Sequence, residues 1–415
     1  MNEIRDLIVG IDFGKENSQI CYYDRKAGEP RSVSMKVGTS QYEAPTCICR
    51  RMDQEEYAVG LEAVYFAREK GAIMVENLYE ICRKQESVSV GGIQVKPWEL
   101  LTHFLRGMLK FLGISDIVRN TQGLVVTTPD LDHVQVMNFQ KAFESLGFER
   151  EKCFLMDYGE SFFYYALTQK KETWNRSVGW YAFTPGGVTF RKLTMNASQK
   201  PVVVQLSEPV STELSGEGEI RDLEFCRFIK KTLNDELFSS IQMTGEGFSQ
   251  DWSVQSVKML CYQKRRVFYG NNLFAKGACA AGKEKLEDKL LKGYRYLSSS
   301  LVLADVGMEM RVMGSPAYQP FIEAGCNWYE CRSKCELILD DTEELVFVVS
   351  TVDRPQKRRV GMMLPGIPQR PNKTTRLSLE LCYISRTECQ ITVRDLGFGD
   401  MFPSSGKEWK EIVEW

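Results

Sequence analysis

The strongest constraint on the fold comes from two hairpins. Each is an apolar strand that stops at a glycine-bearing turn and resumes in strand-type alternation. The first reads Leu7-Ile8-Val9-Gly10-Ile11-Asp12-Phe13-Gly14, then Asn17-Ser18-Gln19-Ile20-Cys21-Tyr22-Tyr23-Asp24. The second reads Ser177-Val178-Gly179-Trp180-Tyr181-Ala182-Phe183, then Thr184-Pro185-Gly186-Gly187-Val188-Thr189-Phe190. Tight glycine turns of this kind expose backbone N–H groups that can cradle a phosphate. Asp12, at the end of a buried strand, is placed to hold Mg²⁺ through waters. An ordinary pair of hairpins without ligand is the alternative reading.

Strands and helices alternate around these hairpins. Tyr57 to Lys70 reads as a helix, followed by the segment Asn77–Lys84. From Pro97 to Leu112, apolar residues fall at helical spacing: Leu100, Leu101, Phe104, Leu105, Met108 and Leu109. Gly123–Pro129 is a buried strand stopped by proline, and a helix from Val134 to Leu146 ends at Gly147. The strand Cys153–Met156 and a helix from Glu160 to Leu167 follow. Ile220 to Leu237 is amphipathic and helical. A strand from Ser240 ends in the turn Gly245-Glu246-Gly247-Phe248, and a small-residue helix begins at Asn272. Leu286 to Tyr296 reads as a charged helix. This is an α/β pattern.

Composition removes several function classes. The net charge is −2, which gives no electrostatic argument for nucleic acid or an anionic membrane as a bulk partner. No apolar run reaches the ~18 residues that span a bilayer, and Met1–Asp6 reads as the start of a strand rather than a secretion signal. Thirteen cysteines without a secretory segment point to reduced thiols in a cytoplasm. Cys47/Cys49 and Cys326, Cys331, Cys335 lack the tight spacing of zinc knuckles. With only His103 and His133 in the chain, a His-based triad or His-rich metal site is not expected.

Gly10-Ile11-Asp12-Phe13-Gly14-Lys15-Glu16-Asn17-Ser18 resembles the phosphate-1 motif of DnaK-type (heat-shock-70) chaperones, members of the actin/sugar-kinase/chaperone ATPase superfamily. Two threonines of that family are replaced here by Lys15 and Glu16. A lysine reaches towards phosphate, whereas a carboxylate repels it. The strand–Thr-Pro–helix–Gly–strand–Glu–helix order after Gly123 is similar to the family's first lobe and connecting helix. The resemblance gives Glu160 the role of orienting water and metal; a first-turn acid at a helix N-terminus is the other reading. It sets Arg83 against the γ-phosphate, where a solvated basic residue is the alternative. Thr184-Pro185-Gly186-Gly187-Val188-Thr189-Phe190 is similar to the family's phosphate-2 motif, but Thr184 replaces its aspartate. A threonine hydroxyl neither takes a proton from water nor balances Mg²⁺. Gly245-Glu246-Gly247-Phe248 stands where the family has its adenosine motif. Only about fifty residues separate that turn from phosphate 2, so the upper clamping subdomain is reduced or missing.

The C-terminal third reads as strand and turn. Strands are expected at Met308–Met313, Tyr318–Glu323, Cys335–Leu339, Leu345–Val352, Arg359–Leu364, Arg376–Ile384 and Cys389–Asp395. That spacing argues for a β-sandwich, which resembles the chaperones' substrate-binding domain without a helical lid.

The resemblance therefore implies a two-lobed, ribonuclease-H-like ATPase domain, with lobes at 1–168 and 169–298. A hydrophobic linker at 299–306, a sandwich at 307–400 and a tail at 401–415 follow. Its phosphate-binding set is Gly14, Lys15, Glu16, Asn17, Gly186, Gly187 and Val188, and its catalytic candidates are Asp12 and Glu160. The expected ligand is ATP or ADP with Mg²⁺, or no nucleotide at all. Expected partners are proteins or extended peptides met through the sandwich, with neither nucleic acid nor membrane. The leading expectation is a chaperone-like protein with weak or lost ATPase activity. Its rivals are an active chaperone whose base is Glu160 or Asp157, and an actin-like filament or scaffold; a sugar or acid kinase fits less well.

Overall fold

The computed structural model describes residues 6–414, apart from 37, 55, 199, 235, 288, 352 and 353. Residues 1–5 and Val352, which the sequence assigns to strands, lie outside the described residues. The protein is mixed α/β with several sheets. It divides into two compact units, the first ending at Leu297 and the second beginning at Ser298.

The first unit holds two large sheets. In sheet one, Leu7–Phe13 is flanked on one side by the antiparallel strands Asn17–Asp24 and Glu29–Ser32. On its other side lie the parallel strands Thr121–Thr128 and Cys153–Asp157. Sheet two repeats this plan. Ser177–Thr184 is followed outward by antiparallel Gly187–Asn196 and Val202–Leu206, and on the other side by parallel Phe238–Gly245 and Arg266–Tyr269. In order of appearance these five strands read 5-4-1-2-3 in both sheets; the second sheet adds Tyr294–Leu297 beside Val202–Leu206 and Val210–Glu213 beside Gly187–Asn196. The intervening helices also correspond: Pro97–Lys110 and His133–Leu146 in the first half, Gly218–Leu233 and Val254–Leu260 in the second.

The helix that ends each half crosses to the other half's sheet. Tyr158–Thr168 leaves sheet one and buries Phe162, Phe163, Ala166 and Leu167 against Val178, Trp180 and Leu193 of sheet two. Leu273–Leu286 leaves sheet two and sets Ala275 and Cys279 against Ile8 and Cys21, and Ala278 and Ala281 against Val125 and Met156. Its small residues allow this close approach. A Cβ added at Gly277 would lie 2.0 Å from the Ser161 carbonyl of the neighbouring helix. At Gly10 a Cβ would lie 2.3 Å from the Ala275 carbonyl and 2.6 Å from the Cys279 nitrogen. Both obstacles are backbone, so Gly10→Ala is expected to lower stability by about 1–3 kcal/mol, read by urea denaturation. An unchanged midpoint would mean that the helix has room to move away.

The second unit contains two four-stranded antiparallel sheets. One is ordered Ser315–Ile322, Ala304–Val312, Glu344–Thr351, Arg354–Met363; the other Arg332–Ile338, Arg376–Tyr383, Glu388–Asp395, Glu408–Glu414. The buried apolar residues fall at every second position: Val306 and Met308, Phe347 and Val349, Leu379, Leu381 and Tyr383, Ile391 and Val393, with Val348 buried as well. With no helix among its described residues, each sheet's apolar face has only the other sheet to cover it.

Several boundaries differ from the sequence reading. Tyr57–Val59 is a strand paired with Ile48–Arg50, so the helix starts at Gly60. No helix spans 286–296. Leu273–Leu286 ends there, and Tyr294–Leu297 pairs with Val202–Leu206, seating Tyr296 against Phe163. The segment 299–306 is not a free linker, because Val302 and Val306 are fully buried and Ala304 begins a strand of the second unit. The expected tail contains Glu408–Glu414, the last strand of its sheet. Cys326 and Cys331 form a disulfide, where free thiols were expected. No helix is long and apolar enough to cross a membrane among the described residues.

Candidate functional site

Ligands of open α/β sheets settle at the carboxyl ends of parallel strands. In sheet one those ends carry Asp12, Thr127–Thr128 and Asp157 side by side. In sheet two Phe183 pairs with Gly245, and Thr184 follows at the strand end.

Asp12 is the centre of the first group. Its carboxylate is buried and accepts a hydrogen bond from the Tyr158 hydroxyl at 2.7 Å. Tyr158 is fixed by stacking on Phe274, with centroids 3.7 Å apart. Burial pushes the Asp12 carboxyl up to about 8; nearby Glu43 adds to the rise and the Tyr158 hydrogen bond opposes it. Two register neighbours of Asp12, Gln19 and Thr127, are buried polar residues. Gln19 Oε1 and Thr127 Oγ1 have no hydrogen-bond partner. A buried unpaired polar atom costs about 1–3 kcal/mol, so two such atoms beside a carboxyl mark a place built for something else.

The tips of the two halves meet. Asn17 Nδ2 donates to Glu246 Oε1 at 2.8 Å. Glu43 Oε1 accepts from Gln19 Nε2 at 3.2 Å and from Asn271 Nδ2 at 2.6 Å. Asn271 Oδ1 in turn accepts from the Gly245 backbone N–H at 2.6 Å. The Gly245–Gly247 turn rests on the second hairpin. A Cβ at Gly247, whose φ is +98°, would lie 2.5 Å from the Thr184 carbonyl. Buried Arg221 ties the two together, donating to the carbonyls of Thr184, Pro185, Ser215 and Gly247 at 2.9–3.3 Å. Gly14, Asn17, Thr184, Gly245 and Glu246 therefore belong to one connected region.

Other candidates are placed differently. Lys15 and Glu16 are exposed at the first tip, with Lys15 Nζ 5.5 Å from the Tyr79 ring centroid. Arg83 is held by Asp130 and by Asp132, the latter at 2.8 Å, and by Tyr79 at 3.0 Å. Burial alone would raise Asp130, yet hydrogen bonds from Tyr79 and Arg83 hold it below the usual range. Glu160 lies 3.8 Å from Lys285 on the crossing helix. The residue of its helix that meets Asp12 is Tyr158. Asp157 caps that helix by accepting from the Glu160 N–H at 2.8 Å, and burial raises its carboxyl. Gly186 is exposed in the second turn, while Gly187 pairs with Glu213. Val188 and Phe248 are core residues, Phe248 packing on Phe183, Trp252 and Tyr269.

The sequence reading did not single out Tyr158, Gln19, Thr127, Glu43, Asn271 or Arg221. A signal existed for one: Thr127, with Thr128, closes the apolar run Leu124–Val126 of a buried strand, where a polar side chain needs a reason.

The residues present fit a hydrated divalent cation. Asp12, Glu43, Gln19 Oε1 and Thr127 Oγ1 are all hard oxygen donors, suited to Mg²⁺. Among the described residues no cluster of three His, Cys, Asp or Glu ligands exists, so waters or phosphate oxygens would complete the shell. A bare polyphosphate would be repelled by Glu16, Glu43 and Glu246, which makes the cation a condition of anion binding.

Comparison with curated proteins finds no match. Residues 301–415 match a domain of unknown function, DUF8552. Residues 29–299 match the C-terminal part of a family of unknown function, DUF5716, so the first hairpin precedes the matched segment. That match covers well over half of the chain and ends near the boundary between the two units, and the protein belongs to the DUF5716 family.

Proposed function

We propose that this chain is a chaperone-like binding protein on an actin-like ATPase fold, taking ATP or ADP with Mg²⁺ between its two sheets and hydrolysing ATP slowly or not at all. One observation carries the reading. Two sheets of the same strand order exchange their last helices and bring their glycine turns into one region, joined through Asn17 and Glu246. The unpaired buried atoms of Gln19 and Thr127 beside Asp12 support a ligand there.

Mg²⁺, when bound, offsets phosphate charge. The chain's own groups do the rest: Asp12 and its neighbours position the cation, and exposed Gly186, with open space where a Cβ would stand, leaves room for phosphate oxygens at the second turn. Thr184 stands where a base would be needed, and the two acids at the strand ends of sheet one, Asp12 and Asp157, are both raised by burial. Each missing ~1.4 kcal/mol of barrier reduction costs tenfold in rate. Protein or extended-peptide partners are assigned to the second unit, whose edge strand Ser315–Ile322 is largely exposed and offers backbone for strand addition. Cys21, Cys49, Cys82, Cys226 and Cys279 are buried thiols outside any disulfide, which fits a reducing cytoplasm.

Calorimetry on the full chain with ATP·Mg²⁺ and ADP·Mg²⁺ tests this reading. Binding on the order of 10 μM is expected, about −7 kcal/mol, with little turnover. No heat from either nucleotide would remove the ligand from the proposal, and steady turnover would favour an active ATPase.

A further inference from the structure

The first unit carries a second feature, apart from the cleft. An open groove of about 580 Å³ lies between Gly218–Leu233 and Val254–Leu260. Its walls include Leu223, Arg227 and Lys230 on one side, and Lys258, Met259 and Tyr262 on the other. Leu223, Arg227 and Lys230 follow one another at i, i+4 and i+7, so they form a single stripe about two turns long. Leu223 is 46% exposed and Tyr262 67% exposed. No Asp or Glu lines the groove. Among the described residues, none of its three cations ion-pairs with a carboxylate.

The groove is held in shape from below. Asp222 Oδ2 accepts from the Gln255 N–H at 2.8 Å, and its Oδ1 accepts from the Ser256 N–H at 2.9 Å. The first helix thereby caps the second. Phe225, Phe228 and Ile229 pack with Leu260 in the core beneath. Side chains on a fixed helix pair lose little ordering entropy on binding, which favours a preformed docking surface.

Cations on both walls with apolar groups between them define their complement. The occupant must present a row of apolar side chains flanked on each side by carboxylates. A helix with apolar residues at i, i+3, i+4 and i+7 and acids beside them has this form, and helix-in-groove recognition uses such a stripe. We infer that the groove receives an acidic amphipathic helix of a partner protein. The inference is independent of the nucleotide reading, because it shares no residue with the cleft.

Fluorescence anisotropy of the full chain tests it. The probe is a labelled helical peptide with leucines at i, i+3, i+4 and i+7 and flanking glutamates. A peptide of the same composition in scrambled order and vesicles of anionic lipid are the comparisons. Saturable binding is expected for the amphipathic peptide, weakening with salt. The double change Lys230→Glu with Lys258→Glu is expected to weaken it at least tenfold, and Leu223→Ser severalfold. These positions are exposed, so circular dichroism should show the fold intact. Asp12→Asn in the cleft should leave peptide binding unchanged. Absence of saturable binding overturns the inference, as does equal binding of the scrambled peptide or indifference to the groove changes. Vesicle binding that the same changes abolish would reassign the surface to a membrane and also overturn it.

Discussion

Replacing Arg370 with alanine is expected to destabilise the second unit by about 3–5 kcal/mol, the usual cost of leaving one member of a buried ion pair alone. Arg370 donates to both oxygens of Asp395, Nη1 to Oδ1 and Nη2 to Oδ2, each at 2.8 Å. The side chains are 7% and 0% exposed. Asp395 also accepts from the backbone N–H groups of Gly397 at 3.0 Å and Ser405 at 2.8 Å. It thus fastens the strand end to the loop that leads into Glu408–Glu414. Arg370 is the main cause holding the Asp395 carboxyl far below the usual carboxylate range. A depressed acid stabilises above its unfolded pKa of about 3.9 and loses that contribution as pH falls from there to its folded value. The gap between Arg370→Ala and the parent should therefore be full at neutral pH and shrink in strong acid. Arg370→Lys keeps charge but loses the two-pronged geometry, and should recover only part. Urea denaturation followed on the second unit's signal decides the matter, and a loss below about 1 kcal/mol would show that the pair behaves as a surface one.

Asp12→Asn should move stability in the opposite direction. Burial raises the Asp12 carboxyl to about 8, so near neutrality the folded chain holds a proton that the unfolded chain has released. Folded states that bind more protons lose stability as pH rises. Here the loss runs from about pH 4 to about pH 8. At pH 7 it amounts to roughly 4 kcal/mol at 1.36 kcal/mol per unit. Asparagine carries no such penalty and can still accept the Tyr158 hydrogen bond. The ligand-free variant should thus melt at higher temperature at neutral pH and match the parent only near pH 4, the ordinary value of the carboxyl being 3.8. Added Mg²⁺ should raise the parent's melting temperature and leave the variant's unchanged. A pH-independent difference between the two would show that Asp12 is charged and compensated in the ligand-free chain.

Much of the fold was legible because it is local. Leu7–Phe13 and Ser177–Thr184 announce themselves by largely apolar runs leading into glycine turns, and the helix Pro97–Lys110 by its spacing. The errors arose where tertiary pairing overrode local signals. Tyr294–Leu297 looks helical by its charged flank, yet becomes a strand because Val202–Leu206 offers it an edge. Leu301–Val306 looks like a linker because it is short and apolar, yet Val302 is buried and bonded to the backbone of Gly325 and Cys326, and Val306 pairs with Val349 much later in the chain. The site divides in the same way. Asp12 and the glycines were visible as a motif. Glu43, Tyr158 and Asn271 were not, because nothing local distinguishes a surface Glu or Asn from one that closes a contact across the cleft. Arg221 lay hidden as one cation of an amphipathic helix, though it donates to backbone carbonyls of two distant turns as well as to nearby Ser215.

The crossing helices set the timing of assembly on the ribosome. Ile8 and Val125 are made early, but the helix that shields them ends only at Leu286. The last strand of the first sheet ends at Asp157, so at 5–20 residues per second the finished sheet waits roughly 6–26 s with an oily face uncovered. The early half cannot mature alone. A nascent chain stalled or cut between the two sheets would present that face to any neighbour, so both halves must reach the native state in a single late event.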